Sequence, residues 1–377
     1  MISKARPNVD LILKNTDALS GTPKILMTQA FALSRAGHDV NVIAETFHPS
    51  LKNHPAIRCK KAFRWPQTNL FQRKFFDLQA RRKTRRDAIV VGNGDTLRQD
   101  ILNLHTCVHL GAEVAPGPHN LKNLSIPFHR MIFEQGSFRE IICVSKLMRD
   151  DLQRRFDLRV PMHVIYPGHD ADLRQKVAAA EVAKLRAQLK VASDEIVVGV
   201  VASGNLDNRG ARALIESMGR IEERWKSKIK LLIVGKDGRP QRFSELAQAV
   251  GMGERLQWLA PREDVQNLIS ALDVVVYAAH IESAGITFLE CLALGKPVIV
   301  TRTVGFAEIL RGEQRDFIID RQDAGLIAQG LDRLLADAQL RARLGELNAE
   351  VAGPMTWANY ERNFMEFFAN YCQTQKL

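Results

Sequence analysis

Residues 282–290 read E-S-A-G-I-T-F-L-E: two glutamates, Glu282 and Glu290, with seven residues between them. They sit between the apolar runs Asp273–Tyr277 (D-V-V-V-Y) and 298–300 (V-I-V). The order is strand, loop with Glu282, helix with Glu290, strand. The loop Ser283-Ala284-Gly285 ends where a helix over 287–294 should begin. A helix start exposes backbone N–H groups and the positive end of the helix dipole, which suits a phosphate. The helix is otherwise almost wholly apolar, so a carboxylate at Glu290 would be costly to bury without partners. A ribose diol supplies two O–H donors of the kind a carboxylate wants. The segment therefore reads as a nucleotide holder. The diphosphate lies at Ala284, Gly285, Ile286 and Thr287, the ribose on Glu290, and Glu282 faces whatever the diphosphate carries. The competing reading is a helix with two solvated glutamates, and the neighbouring features move the balance.

Outward from this segment, short apolar runs alternate with helical stretches. Val9–Leu13, Val40–Ala44, Ala88–Val91 and Ile101–Leu104 lie in the first half. His163–Tyr166, Ile196–Val201, Ile229–Val234, Leu256–Leu259, Val274–Tyr277 and Val298–Thr301 follow. This alternation predicts an α/β chain with parallel sheets and crossover helices. In the first crossover Thr22 fits the N-cap, Pro23 the first helical position and Gly37 the C′ position. Tyr166-Pro167-Gly168-His169-Asp170 breaks the pattern before a charged helix over 173–189. The expected domains are 1–168 and 169–354, followed by a C-terminal helix over 355–377. Two doubly wound domains leave a cleft at the carboxyl ends of their strands, where ligands bind. Trp357, Tyr360, Phe364, Phe367, Phe368 and Tyr371 fall on one helical face. With few basic residues nearby, that face reads as core-facing rather than as a membrane anchor.

The stretch E-S-A-G-I-T-F-L-E-C-L-A-L-G-K-P-V-I-V resembles the E-x7-E signature of retaining glycosyltransferases of family 4, which have the GT-B fold. F-E-Q-G (133–136) and V-G-K-D-G-R-P-Q-R-F (234–243) resemble the lipopolysaccharide core glucosyltransferase I group within it. The resemblance implies two Rossmann-like domains facing across a cleft, with the last helix crossing back onto the first. It implies transfer of a hexose from a nucleotide sugar, UDP-glucose or similar, to a lipopolysaccharide core or other lipid-linked glycan, with retention of configuration. No metal or other cofactor is expected, because such enzymes neutralise the leaving diphosphate with cations and helix N-termini. Glu282 would hold donor-sugar hydroxyls and Glu290 the ribose.

The same resemblance assigns further residues. After the run Ile196–Val201 comes A-S-G-N-L-D-N-R-G (202–210), which contains Gly204 and should open a helix near Gly210. The family carries an Arg and a Lys before this glycine. Here Asn208 and Arg209 stand in those places, so one cation is missing and Arg209 is left to reach the phosphates. Gly21, in the first strand-to-helix turn, corresponds to the glycine loop beside the diphosphate. His105, after an apolar strand, corresponds to a His near the donor sugar and the reacting centre, with His109 as its rival. Lys236 and Arg262 end strands of the second domain, and backbone near Arg262 would meet the base. Asp170-Ala171-Asp172 spells D-x-D, the metal motif of a different glycosyltransferase fold, and falls in the linker by chance.

The formal net charge is +11. Leu51–Arg86 holds twelve Lys and Arg against the single acid Asp77, so the rest of the chain is about neutral. Phe63, Trp65, Leu70, Phe71, Phe75 and Phe76 are interleaved with those charges. Three uses compete: docking on an anionic membrane leaflet, gripping a phosphorylated acceptor, and binding nucleic acid. A merely solvated face is the plain alternative. Given the enzyme reading, membrane and acceptor together are favoured, and nucleic acid is not an expected partner. The five cysteines are scattered without C-x-x-C spacing, which argues against a disulfide framework or zinc site. No uncharged apolar run approaches a membrane span and no signal peptide is evident. The expected location is the cytosol, peripheral on the inner face of the cell membrane. Two other classes stay open: another GT-B enzyme, such as a sugar-nucleotide epimerase or phosphorylase, and a basic nucleic-acid-binding protein.

Overall fold

Strands buried on both faces read as unbroken apolar runs, and these runs are where the strands form. The computed structural model describes residues 6–17, 21–66, 70–114, 125–202, 205–236 and 239–376. The chain divides into two units, Met1–Pro167 with Trp357–Leu377, and Gly168–Thr356.

The first unit contains β1 (Asn8–Ile12), β2 (Asn15–Thr16), β3 (Val40–Ala44), β4 (Thr46–Phe47), β5 (Ile57–Lys61), β6 (Ala88–Gly92), β7 (Ile101–Leu104), β8 (Glu140–Cys143) and β9 (Met162–Val164). β2 and β4 form a small parallel pair. The others make one parallel sheet in the order β5-β3-β1-β6-β7-β8-β9. The second unit contains β10 (Ile196–Val201), β11 (Ile229–Val234), β12 (Leu256–Leu259), β13 (Val274–Tyr277), β14 (Val298–Thr301) and β15 (Ile318–Ile319). They too are all parallel, ordered β12-β11-β10-β13-β14-β15. In each sheet the chain builds outward from one central strand and then restarts on its other flank. The reversal falls between β1 and β6 in the first sheet and between β10 and β13 in the second. Loops leaving such a pair diverge to opposite faces and open a crevice at the carboxyl ends.

The ends of three helices depart from the sequence expectation. The first helix runs Thr22–Arg35 with Gly21, at φ 60°, in the cap position, so Thr22 is the first helical residue rather than the cap. Gly37 takes φ 82° as a C′ glycine should. The helix after the Glu282 loop is Ile286–Ala293, one residue earlier than expected. The helix expected from residue 173 starts only at Ala179. Lys176 contacts both Asp170 (3.3 Å) and Asp172 (2.8 Å), and Arg174 Nε donates to Ala293 O at 2.6 Å. These contacts hold 170–176 in turns.

The last helix, Trp357–Thr374, buries Tyr360, Phe364, Phe367, Phe368 and Tyr371 within the first unit. Gln29 Nε2, on the helix Thr22–Arg35, donates to the Tyr360 hydroxyl at 2.8 Å. Part of the basic segment is also structural. Asp10, fully buried on β1, accepts from Arg85 Nε (2.9 Å), the Arg85 backbone N–H (2.7 Å) and Asn41 Nδ2 (2.8 Å). Arg58 and Arg81 pair with Asp39 and Asp77. Among the described residues Lys61, Lys74 and Arg82 have no acidic partner, while the charge of Arg64 acts on the buried carboxyl of Glu45. Beside them Phe63 is 72% and Phe71 52% exposed, and Trp65 packs edge-on against Phe71 and Phe75.

Candidate functional site

In the second unit, the loop after β10 and the loop after β13 meet at the sheet's reversal. Gly210, at φ 92°, caps the short helix Ala211–Ser217. A Cβ on Gly210 would lie 2.7 Å from Ala278 O, so only glycine lets the two loops approach this closely. Gln322 Nε2 ties the loops together by donating to Asp207 O (2.9 Å) and Ala278 O (2.8 Å). Thr301 and Thr303 hydroxyls both donate to Ala279 O. The Glu282 backbone is pinned on both sides, its N–H donating to Thr303 O (3.0 Å) and its carbonyl accepting from Gly305 N–H (2.9 Å).

This frame brings Arg209 and Glu282 into an ion pair. Arg209 also donates to Ile281 O at 3.0 Å, and Asn208 Nδ2 to the same oxygen at 3.1 Å. The side chains are 18% and 20% exposed, so the pair is screened from water yet reachable. Burial pushes the Glu282 carboxyl up, and the Arg209 charge pulls it back only in part. Burial also pushes the Tyr277 hydroxyl, at the end of β13, well above its ordinary value. The charges of Arg209, Glu282 and Glu290 all act on that hydroxyl. Gly285, at φ 94°, caps the helix Ile286–Ala293, and a Cβ there would lie 2.9 Å from Val304 Cγ1. The first N–H groups of that helix, at Ile286 and Thr287, have no partner inside the helix. A guanidinium, two carboxylates and a helix start are the equipment for an anionic group joined to a polyol.

The other second-unit candidates sit farther along the same edge. Lys236 is exposed at the end of β11, and Gly204 lies outside the described residues. Arg262, beyond the edge strand β12, is bound at both guanidinium arms by Asp264 (2.8 and 2.7 Å). That pairing leaves its backbone rather than its side chain available to a ligand. Among the described residues no three His, Cys, Asp or Glu side chains cluster as metal ligands would.

In the first unit, a cavity of about 360 Å³ lies at the β1/β6 reversal, with Thr22, Pro23 and His105 in its wall. Gly21 has open space on its Cβ side. His105 Nε2 lies 2.7 Å from Asn93 Oδ1. That oxygen also accepts from Asn103 Nδ2 (3.1 Å), while Asn93 Nδ2 donates to Ile12 O (3.0 Å). His105 therefore carries its proton on Nε2, and Nδ1 is an enclosed acceptor with no partner among the described residues. Burial pushes the ring's pKa down to about 3, so it stays neutral. His109 lies instead in an aromatic cluster with His129, Phe133 and Phe156. Sequence reading missed Tyr277, Asn93, Gln322 and Thr303. Their one signal is position at or just beyond strand carboxyl ends.

Two family models match the chain: "Glycosyltransferase Family 4" over residues 19–173 and "Glycosyl transferases group 1" over 181–351. The lipopolysaccharide glucosyltransferase WaaG of Escherichia coli K12 is 23% identical over 63% of this chain and 61% of its own length. A D-inositol 3-phosphate glycosyltransferase of Corynebacterium urealyticum is 27% identical over 58% of this chain and 53% of its own length. The chain thus spans less than two thirds of these relatives. The crystal structure of WaaG superposes with a TM-score of 0.77 at 19% identity, covering 95% of this chain and 99% of that one. Anabaena Alr3699/HepE in complex with UDP and glucose superposes at 0.74 and 17% identity, covering 97% and 100%. With a glycosyltransferase model matching each half and the fold superposing on these structures, the chain is a glycosyltransferase of the GT-B fold.

Proposed function

We propose that this protein moves a hexose from a UDP-sugar to a lipopolysaccharide core or related lipid-linked glycan, with retention of configuration, at the inner face of the cell membrane. The observation that carries the reading is the Arg209–Glu282 pair, held by two loops at the sheet reversal beside the start of the helix Ile286–Ala293. In the reaction, Arg209 and the helix N–H groups offset the charge of the departing diphosphate. Glu290 holds the ribose, and Glu282 holds donor-sugar hydroxyls. His105 Nδ1 accepts a hydrogen bond from a sugar hydroxyl in the first-unit cavity. No metal ion is needed where a guanidinium and a helix start supply the positive charge. The likeness to WaaG supports a lipopolysaccharide acceptor. The UDP and glucose bound in HepE support the donor class.

The cations Lys61, Lys74 and Arg82, without an acidic partner among the described residues, and the exposed Phe63 and Phe71 support docking on an anionic leaflet. Each cation near such a surface contributes about 1 kcal/mol.

The test is UDP release from UDP-glucose by the purified chain in EDTA, with and without deacylated core oligosaccharide, and the product's anomeric proton read by NMR. Acceptor-dependent release with an α-linked product is expected. Release without acceptor, an inverted product or abolition by EDTA contradicts the proposal.

A further inference from the structure

Close to His105 the first unit buries a group of polar side chains. Gln29 on the helix Thr22–Arg35, Asn103 on β7, Asn93 just after β6 and Tyr360 on the last helix are all buried. Of the four, Asn93 reaches the cavity wall beside His105. Burying amides and a phenol costs free energy unless each finds a partner. Seating the last helix does not call for them. Its buried face also carries Phe364, Phe367 and Phe368, and a plain phenyl ring at position 360 would pack as well.

Hydrogen bonds join these groups into one chain that ends on the His105 ring. The Tyr360 hydroxyl oxygen accepts from Gln29 Nε2 at 2.8 Å. It also takes a side-chain hydrogen bond from Asn103. Asn103 Nδ2 donates to Asn93 Oδ1 at 3.1 Å, and the same oxygen takes the His105 Nε2 proton. An amide nitrogen has two protons, so Asn103 serves Tyr360 and Asn93 together. The Asn103 side-chain oxygen has no partner among the described residues, which leaves its donors as the working end. The ring's tautomer turns on Asn93. Its oxygen must face Nε2 for the proton to stay there and for Nδ1 to remain an acceptor. Two contacts hold it that way. Asn93 Nδ2 lies on Ile12 O, an oxygen already shared with the Asn93 backbone N–H at 3.0 Å, and Asn103 Nδ2 lies on Asn93 Oδ1. A turned Asn93 amide would set N–H against N–H at both Asn103 and His105.

We propose that Tyr360 and Asn103 are positioning residues for His105. The hydroxyl on the last helix fixes the Asn103 amide, Asn103 fixes Asn93, and Asn93 keeps the ring proton on Nε2 so that Nδ1 stays an acceptor. The last helix thus reaches His105 through hydrogen bonds as well as closing the core. The effect on turnover rests on the reading of His105 as the acceptor of a sugar hydroxyl, whereas the tautomer is measured without any substrate.

The experiment uses the full chain with isotope-labelled histidine and reads the imidazole nitrogens by NMR at neutral pH, with His105→Gln assigning the signals. Wild type should show one species, protonated on Nε2. Asn103→Leu and Tyr360→Phe should each show a mixture of the two tautomers. The larger change belongs to Asn103→Leu, which breaks the chain one link nearer the ring. With UDP-glucose and deacylated core oligosaccharide, kcat should fall roughly tenfold in Asn103→Leu and about threefold in Tyr360→Phe, while donor KM changes less than about twofold. Phe364→Leu loosens the same helix and removes no bond of the chain. It should lower the melting temperature and leave tautomer and kcat as in wild type. A wild-type ring protonated on Nδ1, a single Nε2–H species in whichever of the two variants folds, or mixing in Phe364→Leu equal to that in Tyr360→Phe overturns the proposal. Tautomer mixing with undiminished turnover upholds the positioning and counts against the part given to His105 in the transferase.

Discussion

Arg209 and Glu282 stabilise each other as well as the site. Removing one leaves its partner partly buried and uncompensated, at a cost on the order of 3 kcal/mol for pairs shielded from water and less here, where each is about one-fifth exposed. Arg209→Ala and Glu282→Ala should each lower kcat/KM about 100-fold or more. The double variant should fall less than the product of the two, because groups acting as a unit are not additive. Full multiplicativity in steady-state kinetics would count against a functional pair. Protonation gives a second check. Folding raises the Glu282 carboxyl above its ordinary value of 4.5, so the native state holds that proton more tightly than the unfolded chain. This contribution to stability is complete below the unfolded value and is lost as pH rises through the folded one. The melting temperature of Glu282→Gln relative to wild type should therefore climb as pH rises above 4.5, and a flat or falling difference would contradict it.

Among elements, the loops after β10 and β13 are set by two glycines in left-handed conformations, Gly210 and Gly285. Gly210→Ala places a methyl against backbone oxygen, so a loss of roughly 1–3 kcal/mol in urea unfolding is expected. Gly285→Ala meets a movable Val304 side chain but carries the same left-handed backbone strain, so it should cost roughly 1–2 kcal/mol and raise donor KM as well. The basic segment splits in two. Arg85→Ala should cost about 3 kcal/mol, because it strands buried Asp10, and should leave vesicle binding unchanged. Lys61→Glu with Lys74→Glu should barely affect stability but weaken sedimentation with anionic vesicles several-fold. Equal effects of the two changes on vesicle binding would remove the distinction. Sequence alone could not draw that line, because Asp10 and Arg85 are 75 residues apart and nothing local marks either as buried. The strands were legible, since parallel strands covered on both faces leave unbroken apolar runs. The turns over 171–176, where a helix was expected, were not, since the Lys176 and Arg174 contacts that hold them arise only in the folded chain.

At the scale of the whole molecule, the meeting of Arg209 with Glu282 beside Gly285 was readable because each lies in a loop that follows a strand. The Asn93 contact that sets the His105 proton was not, because Asn93 is itself fixed by Ile12 across the β1/β6 reversal, 81 residues away. The last helix, Trp357–Thr374, belongs to the first unit although it follows the second in the chain. Deleting 357–377 should expose the surface now covered by Phe364 and Phe368 and leave the protein insoluble. A soluble truncated chain with native circular dichroism would contradict that role. The central claim is that the reversal between β10 and β13 holds the nucleotide sugar. A crystal of the full chain grown with UDP-glucose tests it most directly. The account predicts the diphosphate on Arg209 and the N–H groups of Ile286 and Thr287, with the ribose on Glu290. Ordered UDP-glucose bound anywhere else, with the Arg209–Glu282 pair untouched, would contradict it.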